Sequence, residues 1–125
     1  MRVLLADDQD RVRYALRALL TLQTDTVIAA EAVNVAELLD LASLTNPDLI
    51  LVDWELPGLA MSAALPVLHR LCPASQIVVL SGIPEARVAA LAAGADAFVS
   101  KGQSPERLLN ALSARRAQLG LPASS

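Results

Sequence analysis

The sequence predicts an α/β fold, a doubly wound sandwich around a central five-stranded parallel sheet, and three observations carry that prediction. Apolar runs of strand length recur at residues 2–6, 26–30, 49–53, 76–81 and 97–100. Between them lie stretches whose apolar residues return every three or four positions, the period of an amphipathic helix. The runs are largely apolar at consecutive positions, which calls for helices over both faces of a parallel sheet, and right-handed crossovers with one reversal of winding then give a two-sided sandwich.

The elements follow in order. In a first helix over about 9–21, Val12, Leu16, Leu19 and Leu20 form one stripe, with Arg11, Arg13 and Arg17 placed elsewhere on the surface. A second helix near 34–44 begins at Asn34, a good N-cap, with Glu37 at the third helical position, and stops before Asn46-Pro47. A third, within 62–71, contains Pro66, tolerated without distortion only in a first turn, so it is expected to start late or to kink. A fourth spans about 84–93, with Pro84 suited to its first turn and Gly94 to its C-cap. A fifth runs from Ser104-Pro105-Glu106 to about Leu119, leaving 120–125 as a linker or tail after one domain at 1–119.

Composition narrows the function classes. With 54% apolar residues and 18% charged, the chain has the makings of a core, and with one Trp, one Tyr and one Phe that core is aliphatic. A net charge of −3 and a pI near 5.0 supply no basic field for nucleic acid or an anionic membrane. Cys72 is the only cysteine, which excludes an internal disulfide and fits a reducing cytoplasm. No leader or membrane span is evident, so a soluble, cytoplasmic protein is expected.

Chemistry collects where the strand runs end. Asp7 and Asp8 follow Val3-Leu4-Leu5-Ala6, and Asp53 closes Leu49-Ile50-Leu51-Val52. In one parallel sheet these carboxylates converge at the carboxyl edge, where open α/β folds build sites. Crowded anions resist ionising together, and an oxygen-only set favours Mg²⁺ or Mn²⁺. Ser81 ends the run Ile77-Val78-Val79-Leu80, and Lys101 follows Phe98-Val99-Ser100. Cation, lysine and hydroxyl could share the charge of a transferred phosphoryl group while a carboxylate, Asp53 at the centre, attacks phosphorus. His69 and Cys72 have metal-like spacing but read as surface and packing, Trp54 as burial against a helix, and Arg115-Arg116 as charges favouring a helix dipole and solvent.

With Asp7-Asp8, Asp53 followed by Leu56-Pro57-Gly58, Ser81-Gly82, Gly94-Ala95 and Lys101 in order, the chain resembles the receiver domains of bacterial two-component response regulators from residue 2 to about 119. The resemblance implies a flavodoxin-like (βα)5 fold and a phosphoacceptor switch, not a turnover enzyme, served by a sensor histidine kinase. It implies Asp53 as phosphoacceptor, Asp8 as a direct metal ligand, Asp7 as a ligand largely through water, and the Glu55 backbone carbonyl as a further ligand. Ser81 and Lys101 would bind phosphoryl oxygens, Phe98 would be an aromatic switch residue, and the surface of the fourth helix, fifth strand and fifth helix would change, with homodimerisation on phosphorylation as one outcome. The run from Gly94 to Lys101 and the start Ser104-Pro105-Glu106 resemble receivers of NarL/LuxR type, which implies DNA binding only through a separate domain; a single-domain regulator or an unphosphorylated interaction module is the alternative. The sequence departs from the common pattern at Gly102, at Phe98 where many members have tyrosine, and at Leu59-Ala60-Met61-Ser62. A haloacid-dehalogenase phosphatase fits poorly because Asp53-Trp54-Glu55 lacks a second aspartate, and no glycine-rich loop follows the first strand as a dinucleotide site requires.

Overall fold

The computed structural model describes residues 1–102 and 104–122. Five strands, β1 (Arg2–Ala6), β2 (Val27–Ala32), β3 (Leu49–Asp53), β4 (Gln76–Ser81) and β5 (Ala97–Ser100), alternate with α1 (Asp10–Thr21), α2 (Val35–Thr45), α3 (Met61–Leu71), α4 (Ala86–Ala92) and α5 (Glu106–Gln118). All pairings are parallel in the order β2-β1-β3-β4-β5, so the winding reverses after β2 and the carboxyl ends of β1 and β3 lie side by side.

Alternation along each strand divides the interior into two cores. Leu4, Ile50, Val52, Ile77, Val79 and Phe98 face Leu38 and Ala42 of α2, Leu65 and Leu68 of α3, and Ala90 of α4. Val3, Leu5, Leu51, Val78, Leu80 and Val99 face Leu16 and Leu20 of α1 and Leu108 and Leu112 of α5. Because both faces of β3 are covered, every one of its residues is buried, which explains its unbroken apolar run. Asn34 caps α2 as expected: its side chain accepts from the Glu37 N–H, and Glu37 reaches back to the Val33 N–H.

Several expectations need correction. Strand β2 begins at Val27 and extends to Ala32, beyond the expected end at residue 30, because it follows β1 through the pair Ala6↔Ala32. Helix α3 starts early, at Met61, and passes through Pro66. The missing N–H leaves the Ser62 carbonyl without its helical donor, but both residues are exposed, so water can satisfy it. Helix α4 is shorter than expected because Pro84 belongs to a preceding turn, closed by Ala86 N–H to Ile83 O and Arg87 N–H to Pro84 O.

Two arginines are not the solvated charges the sequence suggested. Arg116 is 1% exposed and donates to the carbonyls of Thr24 and Pro122. It continues the buried line Leu108-Leu112 at spacing four, a signal that was present in the sequence. Arg13 lies on the Leu16-Leu20 side of α1, at 13% side-chain exposure. Residues 120–122 remain tied to α5, with the Leu121 N–H on the Arg116 carbonyl, while the expected tail at 123–125 lies outside the described residues.

Gly94 closes α4 at φ +111, and a Cβ there would sit 3.2 Å from the His69 ring. His69 itself donates through Nε2 to the Gly94 carbonyl, so the helix end is pinned from α3. Gly94→Ala is expected to lose about 1–3 kcal/mol through backbone strain and displacement of His69, read as a lower urea midpoint with an unchanged slope.

Candidate acid site at the strand ends

The site grows out of the sheet order. Strand β1 delivers Asp7 and Asp8, and its neighbour β3 delivers Asp53, so carboxylate oxygens from all three lie within 4.8 Å of one another. Asp7 is 1% and Asp53 5% exposed, whereas Asp8 is open to solvent. Lys101, carried by the end of β5, reaches back to both buried acids, with Nζ 2.7 Å from Asp7 Oδ2 and 3.3 Å from Asp53 Oδ1. Beside them opens a cavity of about 320 Å³ lined by Asp8, Gln9, Asp53, Glu55, Gly82 and Lys101.

Backbone donors supply the remaining contacts. The Gln9 N–H donates to Asp7 Oδ1 at 2.9 Å, and the Glu55 N–H to Asp53 Oδ1 at 3.3 Å. Both are turns in which a carboxylate accepts from the amide two residues on, the arrangement that aspartate favours at the end of a strand. The chemistry of the set fits a hard divalent cation: oxygen donors alone, two acids shielded from water and one reachable by it.

Electrostatics set the protonation behaviour. Burial raises the Asp53 carboxyl above its ordinary value, a shift that Lys101 and the Glu55 N–H oppose and the Asp7 charge reinforces. For Lys101, burial works to lower the ammonium, but the Asp7 hydrogen bond and the charges of Asp53 and Asp7 outweigh it, so its value is raised.

Other expected residues take different places. Ser81 is buried at the end of β4 but does not line the cavity; its Oγ accepts from the Ile83 N–H at 2.9 Å, and its backbone carbonyl accepts from the Lys101 N–H at 2.8 Å. Phe98 points inward, 7% exposed, in the core beneath α4. Trp54 is half-buried against that same core. Cys72 is packed in the core with its thiol on the Ala42 carbonyl, and His69 serves Gly94. Among the described residues the aspartate trio is the one metal-like cluster of acids, histidines and cysteines. Gln9 lines the cavity although no motif in the sequence marks it, and Gly82 of the Ser81-Gly82 pair lines it too; each directly follows a selected strand-end residue.

Comparison with known proteins agrees with this geometry. The family described as the response regulator receiver domain matches residues 3–113. The nitrate/nitrite response regulator protein NarL of Escherichia coli K12 is 36% identical over 112 residues, covering 88% of this chain and 52% of that protein. The transcriptional regulatory protein YxjL of Bacillus subtilis is 34% identical over 116 residues, covering 91% of the chain and 53% of its own length. The chain thus spans about half the length of the curated relatives it matches. Among solved structures, a LuxR-family two-component response regulator from Aurantimonas sp. SI85-9A1 superposes with a TM-score of 0.84 at 28% identity, covering 99% of this chain and 89% of that one. The chain belongs to the receiver domains of response regulators, the regulatory switches of two-component signalling, and has their flavodoxin-like fold.

The pH dependence of the metal-free protein follows from the two shifts. The folded state holds the Asp53 proton more tightly than the unfolded chain does, so this group's contribution to stability falls as pH rises from 3.8 through the raised folded value. Lys101 contributes stability fully below 10.5, lost as pH climbs through its raised value. Asp53→Asn removes the first decline, and its thermal midpoint at neutral pH without metal is expected to exceed that of the native protein; an equal or lower midpoint contradicts a net burial cost at this carboxylate.

Proposed function

We propose that Asp53 is the phosphoacceptor of this receiver domain and takes its phosphoryl group from a phosphohistidine on a sensor histidine kinase. The observation that carries the reading is a poorly hydrated carboxylate at the wall of an open cavity, beside a lysine already fixed in place. A buried carboxylate is less stabilised by water and correspondingly more nucleophilic. An Asp53 oxygen attacks phosphorus, the phosphorus–nitrogen bond breaks, the imidazole leaves and is protonated, and an acyl phosphate remains. Lys101 turns toward the phosphoryl oxygens, and Ser81 donates its hydroxyl proton to one of them.

A divalent cation, Mg²⁺ or Mn²⁺, would be held by Asp8, Asp53 and the Glu55 carbonyl, with Asp7 acting largely through water, and would offset the charge of carboxylates and phosphoryl group. The chain's own chemistry ends with hydrolysis, in which water attacks phosphorus and restores the Asp53 carboxylate. Signal output rests on the surface of α4, β5 and α5. Val88 is 78% exposed on α4, with Leu91 and Ile83 also open, which provides apolar area for a partner or a second copy. Control of transcription through a further region joined to the unit at 1–119 is supported by the naming of YxjL as a transcriptional regulatory protein and by the coverage of its length; in this reading that region binds DNA and the protein acts in the cytoplasm. Among the described residues no helix is long and apolar enough to cross a membrane.

Incubation with acetyl phosphate or a cognate kinase in Mg²⁺ is expected to add one phosphoryl group by intact mass, and Asp53→Asn is expected to abolish that gain. Undiminished labelling of the variant would move the acceptor role elsewhere.

The lifetime of the acyl phosphate should depend on the residues that border the approach of water. Glu55 lines the cavity, and Ile83, half-exposed with its N–H committed to Ser81, has no side-chain group to orient water. Ile83→Glu and Ile83→Lys are expected to shorten the lifetime severalfold, followed as decay of the phosphorylated protein in Mg²⁺ buffer.

A further inference from the structure

Arg13 enters the site from behind. Its Nη1 donates to the backbone carbonyl of Asp7 at 2.7 Å, six positions earlier, across the β1–α1 connection and the first turn of the helix. The guanidinium is held on its other edges by acids from two elements: Nε lies 3.3 Å from Glu31 Oε1 on β2, and Nη2 pairs with Asp10 at the start of α1. Glu31 is gripped a second time by Arg17, one turn further along α1, at 3.1 Å. Glu31 pairs in register with Leu5 of β1, two residues before Asp7.

The Asp7-Asp8 peptide is where this contact matters. Its carbonyl belongs to Asp7 and its N–H to Asp8, so the orientation of that one plane fixes the direction in which the chain leaves β1. Asp7 is already anchored by its side chain on Lys101 and the Gln9 N–H, and by its own N–H on Ala32 O. Among the described residues, Asp8 has no hydrogen bond or ion pair of its own; the chain after it is held at Gln9, and the carbonyl of the Asp7-Asp8 peptide before it is held by Arg13. A planar guanidinium can satisfy a carbonyl and a carboxylate at once, which an ammonium on a flexible stem cannot do with the same geometry.

We propose that Arg13 is a positioning residue for the acid cluster: aimed by Glu31, it holds the Asp7-Asp8 peptide plane so that the Asp8 carboxylate is presented to the cavity. This rests on the metal-site reading above for its consequence, though not for its geometry. Arg13 carries a positive charge close to the carboxylates, so a purely electrostatic role predicts that neutralising it tightens cation binding. A positioning role predicts the reverse, because groups that orient ligands typically alter metal affinity by about ten- to a hundredfold.

Two measurements on the full chain test it, with Arg13→Met, Arg13→Lys and Glu31→Gln. In metal-free protein, hydrogen exchange of the Gln9 amide, which depends on the Asp7 turn, is expected to accelerate about tenfold or more in Arg13→Met, while amides of β3 and β4 keep their native rates. Exchange at Gln9 that is unchanged, or acceleration spread evenly through the sheet, overturns the proposal. In a Mg²⁺ titration followed by Trp54 fluorescence, Arg13→Met is expected to bind about tenfold more weakly. Arg13→Lys, which keeps the charge, should recover part of the loss, and adding Glu31→Gln to Arg13→Met should cost nothing further. Tighter or native Mg²⁺ binding by Arg13→Met, or additive losses in the double variant, overturns it. A native protein that shows no saturable response to Mg²⁺ would refute the metal-site reading, leaving Arg13 to be judged by the amide exchange alone.

Discussion

The contact on which the site depends is the ammonium of Lys101 set between the carboxylates of Asp7 and Asp53. Two acids withdrawn from water at adjoining strand ends repel each other and lose hydration, a cost that a single shared cation offsets in part. Lys101 comes from β5, and β4 lies between β5 and β3. The Lys101 side chain extends past the end of β4 at Ser81 to reach both acids. Sheet order is therefore a condition of the charge balance.

The same arrangement links the chemistry to the distant surface. Lys101 is tied by its N–H to the Ser81 carbonyl, and the Ser81 hydroxyl is tied to the Ile83 N–H just ahead of α4. Phe98, two strand positions before Ser100 and in register with Val79, packs in the core beneath α4. The Ser81 hydroxyl does not line the cavity, so in the proposed phosphorylated state turning it toward a phosphoryl oxygen would loosen its contact with the Ile83 N–H at the entrance to α4. The far end of α4 is pinned through Gly94 and His69, so a change at its entrance would act on a helix held at one end. These contacts are the physical basis offered for the proposed two-state surface of α4, β5 and α5.

Departures from the expected pattern share a cause. Arg13, Arg116 and Pro66 were judged by residue type, and each was decided by neighbours distant in the chain or by solvent. Arg116 is buried because the α1–β2 connection presents the Thr24 carbonyl where α5 passes, and the segment after α5 returns the Pro122 carbonyl to it. Arg13 turns inward because β2 offers Glu31 and β1 offers a free carbonyl. Pro66 stays inside α3 because the carbonyl it leaves without a donor faces water. In both arginines the position on the helix stripe marked the exception while the side-chain chemistry suggested the rule.

The sequence by itself determined the alternation of strand and helix, the two-sided core, and the acids, serine and lysine at strand ends, because those follow from local periodicity and from where apolar runs stop. It also placed the N-cap at Asn34 and the left-handed turn at Gly94, which depend on backbone preferences of single residues. Only the tertiary structure decided that Lys101 binds Asp7 more closely than Asp53, that Ser81 faces Ile83 and not the cavity, and that Arg13 backs the Asp7-Asp8 peptide. These depend on distances of a few tenths of an ångström between segments remote in sequence. Spacing along a chain carries no such information, because register, crossover and side-chain direction are set jointly by the packed sheet.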